Sequence, residues 1–228
     1  MQSKSKILTT IAVLAFTVLL IIAYGTNILR YYKNSTFANH PTLPVGSRML
    51  VSSLVQPQRM DFMTFKHEDS IFGGKYIFRL VGIPGDTILL RKGNLFINNT
   101  DADAELSLAY SYILPLGKAK EVEADLLPID QDGIKFYKVS QDSVIAYTTK
   151  VVAIKNNLYN FRVINKEQHF NKDIFSVYGK EWNKDFFGPL VLKDDEYFVL
   201  GDNRDNAYDS RYIGPVKKNQ IIGKAIKF

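Results

Sequence analysis

Residues 75–90 read KYIFRLVGIPGDTILL and carry the clearest sign of how this chain folds. Lys75–Ile83 is rich in β-branched and aromatic residues, which predicts a strand. Pro84-Gly85-Asp86 follows and ends the strand in a turn, because these residues favour turn conformations. Thr87–Leu90 then resumes the strand pattern.

The segments around this strand predict a mainly β fold. Leu95–Ile97 follows a polar turn and completes a hairpin with the strand before it. Ser143–Ile154 and Leu158–Ile164 alternate like strands, and Glu196–Leu200 is a further predicted strand. Helical periodicity appears only weakly, over Ala102–Tyr112, so helices are expected to contribute little beyond the N-terminal segment.

The composition fits one globular domain with a membrane anchor. The chain has 228 residues, 46% of them apolar, which is enough for a packed core. The formal charge is +6 with the basic residues scattered, so a membrane surface is an expected partner and nucleic acid is not. Cysteine is absent and the three histidines lie far apart, so we expect neither disulfides nor a metal site.

The N-terminal segment predicts one transmembrane helix. Lys4 and Lys6 precede an uncharged, mostly apolar run from Ile7 to Ala23, which would span about 26 Å as a helix. Two interpretations stay open. The long apolar run favours a retained anchor, whereas Ala23-Tyr24-Gly25 offers small residues where a signal peptide would be cleaved. We expect the N-terminus inside and the domain outside.

Four segments, in this order along the chain, resemble the characteristic boxes of type I signal peptidases. They are PTLPVG at 41–46, RMDFMTF at 59–65, YIFRLVGIPGD at 76–86 and GDNRDNAYDSR at 201–211, the last followed by Gly214 and Val216. The third is a strong match, and the fourth is highly specific. The chain is therefore identified as a member of this family, and as a degenerate member because its catalytic positions are altered.

The resemblance implies a signal-peptidase-like, β-rich domain on the outer face of the cell membrane, held there by a single-pass anchor. In the family a serine attacks the bond after a signal peptide, a lysine is its base, and no metal or organic cofactor takes part. The layout expected here is an anchor at 1–29, a core at 30–98 and 186–228, and an extra β cap at 99–185.

The family's catalytic positions are altered in this sequence. The nucleophile, which precedes Met-x-Pro-Thr-Leu in the family, falls on Ala38, and the lysine position falls on Phe78. The serine that hydrogen-bonds the lysine in the family falls on Ala207. A methyl group cannot attack a carbonyl and a phenyl ring cannot accept a proton, so we predict that this chain has no catalytic residues.

The remaining site positions are retained. Thr36 lies where the family places a hydroxyl that donates to the oxyanion. Asp209 and Arg211 match residues that form an ion pair under the active site in the family. We expect the whole matching set to act as scaffold, namely Asp202, Arg204, Asp209, Ser210 and Arg211.

Neighbouring residues offer few replacements for the lost dyad. Lys75 is three residues from Phe78, an odd offset that places it on the opposite face of a strand. Ser35 is likewise three residues from the nucleophile position. Ser47 occupies the place of an acidic residue in the family pattern, and His40 does not lie at the base position. A displaced dyad is therefore disfavoured.

Three functions remain as alternatives. The leading hypothesis is a membrane-anchored homologue, linked to protein secretion, that recognises signal peptides or an active signal peptidase without cutting. The first alternative is an active serine endopeptidase with a displaced dyad. The second is a structural partner of an active signal peptidase, with the cap as its contact surface.

Overall fold

The structure, a computed structural model, describes residues 2–26, 28–68 and 74–227. Helix α1 (Gln2–Gly25) contains the segment Lys4–Ile22, which is long and apolar enough to cross a membrane and has none of its surface buried by the rest of the chain. The hydroxyls of Thr9, Thr10 and Thr17 donate to backbone carbonyls four residues earlier, so these polar groups are satisfied within the helix. The predicted N-terminal helix is confirmed. Met1 and Asn27, which the expected anchor includes, lie outside the described residues.

The described residues after α1 form mainly β-strands. In chain order they are β1 Leu29–Lys33, β2 Arg48–Ser52, β3 Phe62–Lys66, β4 Lys75–Gly82, β5 Thr87–Arg91, β6 Asn94–Ile97, β7 Thr100–Asp101, β8 Ala109–Pro115, β9 Phe136–Lys138, β10 Ser143–Thr149, β11 Phe187–Val191, β12 Glu196–Leu200, β13 Val216–Lys217 and β14 Ile221–Lys227. Short helices lie between them: α2 Leu116–Glu121, α3 Lys150–Lys155, α4 Lys172–Tyr178 and α5 Ser210–Ile213.

The strands make three antiparallel sheets. The largest has seven strands in the order β1-β2-β14-β3-β4-β12-β13, and a four-stranded sheet follows the order β11-β5-β6-β7. The third, which we call the cap sheet, consists of β8-β10-β9. The predicted mainly β fold is therefore confirmed, including the strand from Lys75, the hairpin β5–β6 with Arg91 opposite Asn94, and the strand Glu196–Leu200.

Two segments predicted as strands are partly or wholly helical turns. Ser143–Ile154 is a strand only to Thr149, whose hydroxyl accepts a hydrogen bond from the Val152 N–H and caps helix α3. This cap overrides the β propensity of the residues that follow. Leu158–Ile164 contains a 3₁₀ turn and no strand, because Leu158 packs into the core under the cap sheet and breaks the alternation.

The weak helical prediction at Ala102–Tyr112 is wrong. The segment begins with turns, and Ala109 then starts strand β8, which pairs with β10 along its whole length. Tyr110 and Tyr112 project from the same face of β8 into the apolar cluster beneath the cap sheet. The spacing of apolar residues that suggested a helix therefore comes from two buried aromatic residues on one strand face.

Separate apolar clusters support the separate sheets. Beneath the cap sheet, Tyr112, Leu114 and Val144 form one cluster with residues from α2 and α3. Against the seven-stranded sheet lies another, which contains Met63, Phe65, Tyr76, Phe78, Leu80, Val199 and Ala38. The second cluster matters for function, because it forms the floor of the main cavity.

Candidate functional site

A cavity of about 740 Å³ opens beside the end of strand β4. Three segments provide most of its lining: Tyr32–Ala38, which begins at the end of β1, Lys75–Phe78 of β4, and Asp205–Tyr208 of the loop that precedes α5. Met49, Thr64 and Tyr212, together with Ile129 and Asp173 from the middle region of the chain, complete the wall. The lining thus includes Thr36, Ala38, Phe78 and Ala207, which the sequence singled out, and it adds Ile129 and Asp173.

The floor of this cavity is apolar. Ala38 is 9% exposed and Phe78 is 4% exposed, and both belong to one buried cluster against which Ala207 also packs. The Phe78 ring lies with its centroid 6.3 Å from that of Phe65 and 6.2 Å from that of Tyr76, at spacings typical of favourable aromatic pairs. The structure thus brings together the three positions where the sequence lacks catalytic groups.

Gly201 shows how closely two of these positions approach each other. A Cβ added to it would lie 2.4 Å from the Ala207 Cβ and 2.5 Å from the Ala38 carbonyl oxygen, closer than real Cβ contacts allow. Only glycine therefore fits between the two segments at their present separation. This contact ties the loop at 201–211 to the segment that carries Ala38.

Asn39 is a site residue that sequence reasoning missed. Its Nδ2 donates a hydrogen bond of 2.8 Å to the Ile77 carbonyl oxygen, so it fastens the segment after Ala38 to strand β4. The backbone N–H of Asn203 donates to the Ala38 carbonyl oxygen at 3.0 Å from the other side. The sequence contained one signal for this residue: position 39 falls where the family pattern used above has an apolar methionine, and here it carries a polar amide.

The predicted scaffold residues are buried beneath the cavity. Arg211 donates from Nε and Nη2 to the two carboxylate oxygens of Asp209, both at 2.8 Å, and both side chains are almost fully enclosed. Burial opposes the charge on Arg211, yet the Asp209 carboxylate raises the pKa of this guanidinium above its ordinary value. Asp209 also accepts from the Gly201 N–H, which positions the glycine at the floor.

Two further ion pairs connect the same loop to its surroundings. Asp202 accepts two hydrogen bonds from Arg79, the neighbour of Phe78 on β4, at 2.7 and 2.5 Å. Arg204 donates twice to Asp103, at 2.6 and 2.5 Å, and thereby joins the loop to the segment before the cap sheet. Ser210 Oγ accepts from the Val199 N–H and fixes the start of α5. The loop is therefore held from several directions.

Thr36 lines the cavity, as its predicted position requires, and its backbone N–H donates to Asn34 Oδ1. An oxyanion-binding role for its hydroxyl stays a prediction. Over the described ranges, no cluster of three or more histidine and acidic side chains is arranged to hold a metal ion.

Comparison with known proteins decides the family. A family model described as "Signal peptidase, peptidase S26" matches residues 7–228 of the chain. The chain belongs to the signal peptidase family. It is 30% identical over 179 residues to signal peptidase I of Buchnera aphidicola subsp. Baizongia pistaciae (strain Bp), a match that covers 75% of this chain and 54% of that protein.

Other signal peptidases are similar to comparable degrees. Signal peptidase I of Aquifex aeolicus (strain VF5) is 27% identical over 210 residues, which cover 87% of this chain and 74% of that protein. A solved signal peptidase I from Enterococcus faecalis V583 matches with 21% identity and a TM-score of 0.34, covering 74% of this chain and 96% of that structure. The chain spans only 54% of the length of the Buchnera relative named above and 57% of that of signal peptidase I of Buchnera aphidicola subsp. Schizaphis graminum (strain Sg), to which it is 29% identical.

His40, a conceivable base in this signal peptidase homologue, is engaged in a loop. Its Nε2 accepts a hydrogen bond of 2.9 Å from the Val45 N–H, so that nitrogen has no lone pair for a nucleophile. Burial, and secondarily the charge of Lys135, lower the pKa of His40 below its ordinary value. The neutral imidazole is therefore a structural acceptor in this position.

Ser35 and Lys75 both border the cavity but do not form a dyad. No hydrogen bond joins them among the described residues. The Lys75 ammonium lies 5.8 Å from the centre of the Tyr32 ring, within cation–π range. Tyr32 packs in a different cluster from Phe78, which agrees with the predicted opposite face for Lys75. Ser47 is absent from the described lining of the cavity.

Proposed function

We propose that this signal peptidase homologue binds signal-peptide segments of exported proteins at a membrane surface and does not cleave them. One observation carries the proposal. The cavity keeps its walls and its buried ion pairs, while Ala38, Phe78 and Ala207 make its floor apolar.

Hydrolysis of a peptide bond needs a nucleophile and a neutral base in contact with each other. In serine proteases, loss of the catalytic set lowers turnover by about six orders of magnitude, even when the oxyanion site remains. Thr36 alone would therefore leave a negligible rate. The same apolar floor favours binding of apolar side chains, because both surfaces leave water when they meet.

Strand β4 offers an edge for a bound peptide. Its residues Arg79–Gly82 pair with β12, whereas the described pairings of Lys75–Phe78 are with β3 alone. Those four residues border the cavity, so an extended peptide can add beside them as a further strand. Asn39 already occupies the Ile77 carbonyl, so the peptide would use the main-chain groups of Lys75, which alternates with Ile77 along the strand.

Helix α1 gives the proposal its location. An apolar helix that can cross a membrane, joined to β1 and thus to the cavity lining, would hold the domain where signal peptides enter the bilayer. We place the domain on the outer face of the cell membrane, with the core at 30–98 and 186–228 and the cap at 99–185.

The test measures binding and cleavage on the same sample. The purified full chain in lipid nanodiscs is mixed with a fluorescent signal peptide and, separately, with a precursor that carries the same signal sequence. We expect saturable binding by fluorescence anisotropy and an intact precursor on a gel. Ala207→Phe, which fills the cavity floor, is the control and should abolish binding.

Two results would overturn the proposal. Absence of peptide binding by the folded wild-type chain would remove the binding function. Cleavage that disappears in Ser35→Ala, His40→Gln or Ser47→Ala would show that a displaced hydroxyl or imidazole works as a catalytic group.

A further inference from the structure

An exposed apolar row crosses the cap sheet. Ile145 on β10 lies opposite Ile113 on β8 and opposite Tyr137 on β9, so the three side chains share one face. Ile113 and Tyr137 are each 43% exposed. We call Ile113, Ile145 and Tyr137 the cap face.

The cap face is apolar although the core lies on the other side of the sheet. Leu114, Val144 and Phe136, which alternate with the residues of the cap face, pack into the cluster beneath the sheet. A sheet with one solvated face normally shows polar residues there, so an apolar row on that face indicates a contact surface.

The cap sheet is attached to the wall of the cavity. Asp205, which lines the cavity, accepts hydrogen bonds from the backbone N–H of Ser111 at 2.9 Å and from its hydroxyl at 2.8 Å. Ser111 is two residues before Ile113 on β8, and it therefore projects from the same face. Ser111 and the Asp205 side chain are both buried, so this contact holds the cap sheet against the wall of the cavity.

Two further contacts fix this junction. Lys184 donates to the other carboxylate oxygen of Asp205 at 2.5 Å, so that side chain is held in place from behind. On the far side, Ile129 lines the cavity and its N–H donates to the Ile134 carbonyl oxygen, in the turn that leads to Tyr137 and β9. The next residue, Asp130, accepts a hydrogen bond from the Tyr137 hydroxyl, so this turn connects the cavity lining to the cap face.

We propose that the cap face binds the first residues of the exported chain, immediately after the segment held in the cavity. This inference rests on the proposed function. The apolar core of a signal peptide stays in the bilayer, where α1 also lies, so only the opposite end of the bound segment is free to reach the cap.

The dimensions set the length of that segment. Three strands spaced about 4.8 Å apart make a row roughly 10 Å wide, which about three extended residues would cover. Apolar or aromatic side chains within about five residues of the cavity would therefore contact the cap face, and a charged segment would not. The cap face would select among exported proteins by the start of their mature sequence.

Two fluorescent peptides test the proposal on the full chain in nanodiscs. The short one ends with the segment held in the cavity, and the long one continues for five apolar residues. We expect the long peptide to bind about tenfold more tightly, as removal of two half-exposed side chains from water would give. Ile113→Ser and Tyr137→Ser, made separately, should each remove about threefold of this gain and leave the short peptide unaffected.

Val151→Ser is the matched control, since Val151 is a 74% exposed apolar residue on α3 of the same region, outside the cap face. It should bind both peptides as the wild type does. The absence of cysteine in the chain permits a second measurement, in which Ile113→Cys forms a disulfide with a cysteine three residues into the extension.

The outcomes separate the two proposals. Failure of the short peptide to bind the wild type refutes the proposed function. If the wild type binds the short and the long peptide with equal affinity, the role of the cap face is refuted and the proposed function is not. The same holds if Ile113→Ser and Val151→Ser have equal effects. Disulfide formation that is as fast with Val151→Cys as with Ile113→Cys would also refute the role of the cap face.

Discussion

The apolar floor makes a quantitative prediction for Phe78→Lys, which places an amine at the predicted base position. Phe78 is 4% exposed and lies among the rings of Phe65 and Tyr76. A lysine here would place its ammonium in an apolar cluster, and burial without a charged partner favours the neutral amine. We expect the variant to fold, with a lysine pKa well below the ordinary value.

Two effects determine the cost of this substitution. Loss of the buried ring destabilises the fold by about 1–3 kcal/mol, part of what a full Phe→Ala truncation costs. The amine adds a pH-dependent penalty, because the unfolded chain binds a proton that the folded chain releases. Between the folded and unfolded pKa values, the free energy of unfolding rises by about 1.4 kcal/mol per pH unit. From pH 7.5 to pH 9, the variant should therefore gain about 2 kcal/mol.

Phe78→Met is the matched control, since methionine resembles lysine in length and carries no titratable group. Urea unfolding of both variants in detergent, followed by fluorescence of the single tryptophan Trp182, gives the difference in free energy of unfolding at each pH. A difference between the variants that stays constant from pH 7.5 to pH 9 would refute the reasoning, because it would mean that the amine reaches water and the floor is not apolar.

Further predictions concern residues around the site and the fold. Because His40 is neutral in the folded chain and its pKa is lowered, the unfolded chain takes up a proton first as the pH falls. Stability should therefore drop from pH 7 to pH 5, and His40→Gln should weaken this drop in thermal unfolding. Arg211→Leu leaves a buried carboxylate unpaired and should cost about 3–5 kcal/mol, whereas loss of the surface ion pair in Lys118→Gln should cost less than about 1 kcal/mol, both by urea unfolding. Gly82→Ala places a Cβ 2.7 Å from two core methyl groups and should cost about 1–3 kcal/mol, while Gly117→Ala, which meets nothing within 4 Å, should be neutral or stabilising. Equal melting temperatures for the two alanine variants would contradict this reading of the core.

Local sequence was a good guide where a segment's own residues set its structure. Strand β4 and the turn at Pro84-Gly85 follow from β-branched residues and turn formers, which act within a few bonds. The prediction failed at Lys150–Lys155, where Val151, Val152 and Ile154 suggest a strand. The Thr149 side chain caps a helix there instead, and Ala153 packs into the apolar cluster beneath the cap sheet. Such packing depends on residues distant in sequence.

The chemistry of the site could be read from side-chain identity alone. Ala38 and Phe78 carry no group that attacks a carbonyl or accepts a proton, wherever the chain folds, and only their meeting in one cavity required coordinates. Asn39 belongs to the site because it bonds Ile77, 38 residues away in sequence. Ile129 lines the cavity from a loop next to the cap sheet. No local pattern encodes either contact.

The sequence by itself therefore determined the side chains at the predicted catalytic positions, the β-rich class and the apolar N-terminal helix, because side-chain chemistry, strand propensity and an unbroken apolar run are properties of neighbouring residues. Only the tertiary structure decided that His40 accepts a hydrogen bond from Val45 and that Ser111 attaches the cap sheet to Asp205 in the cavity wall. Hydrogen-bond partners and shared surfaces exist only after distant segments have packed together, since each needs two groups placed within a few ångströms of each other.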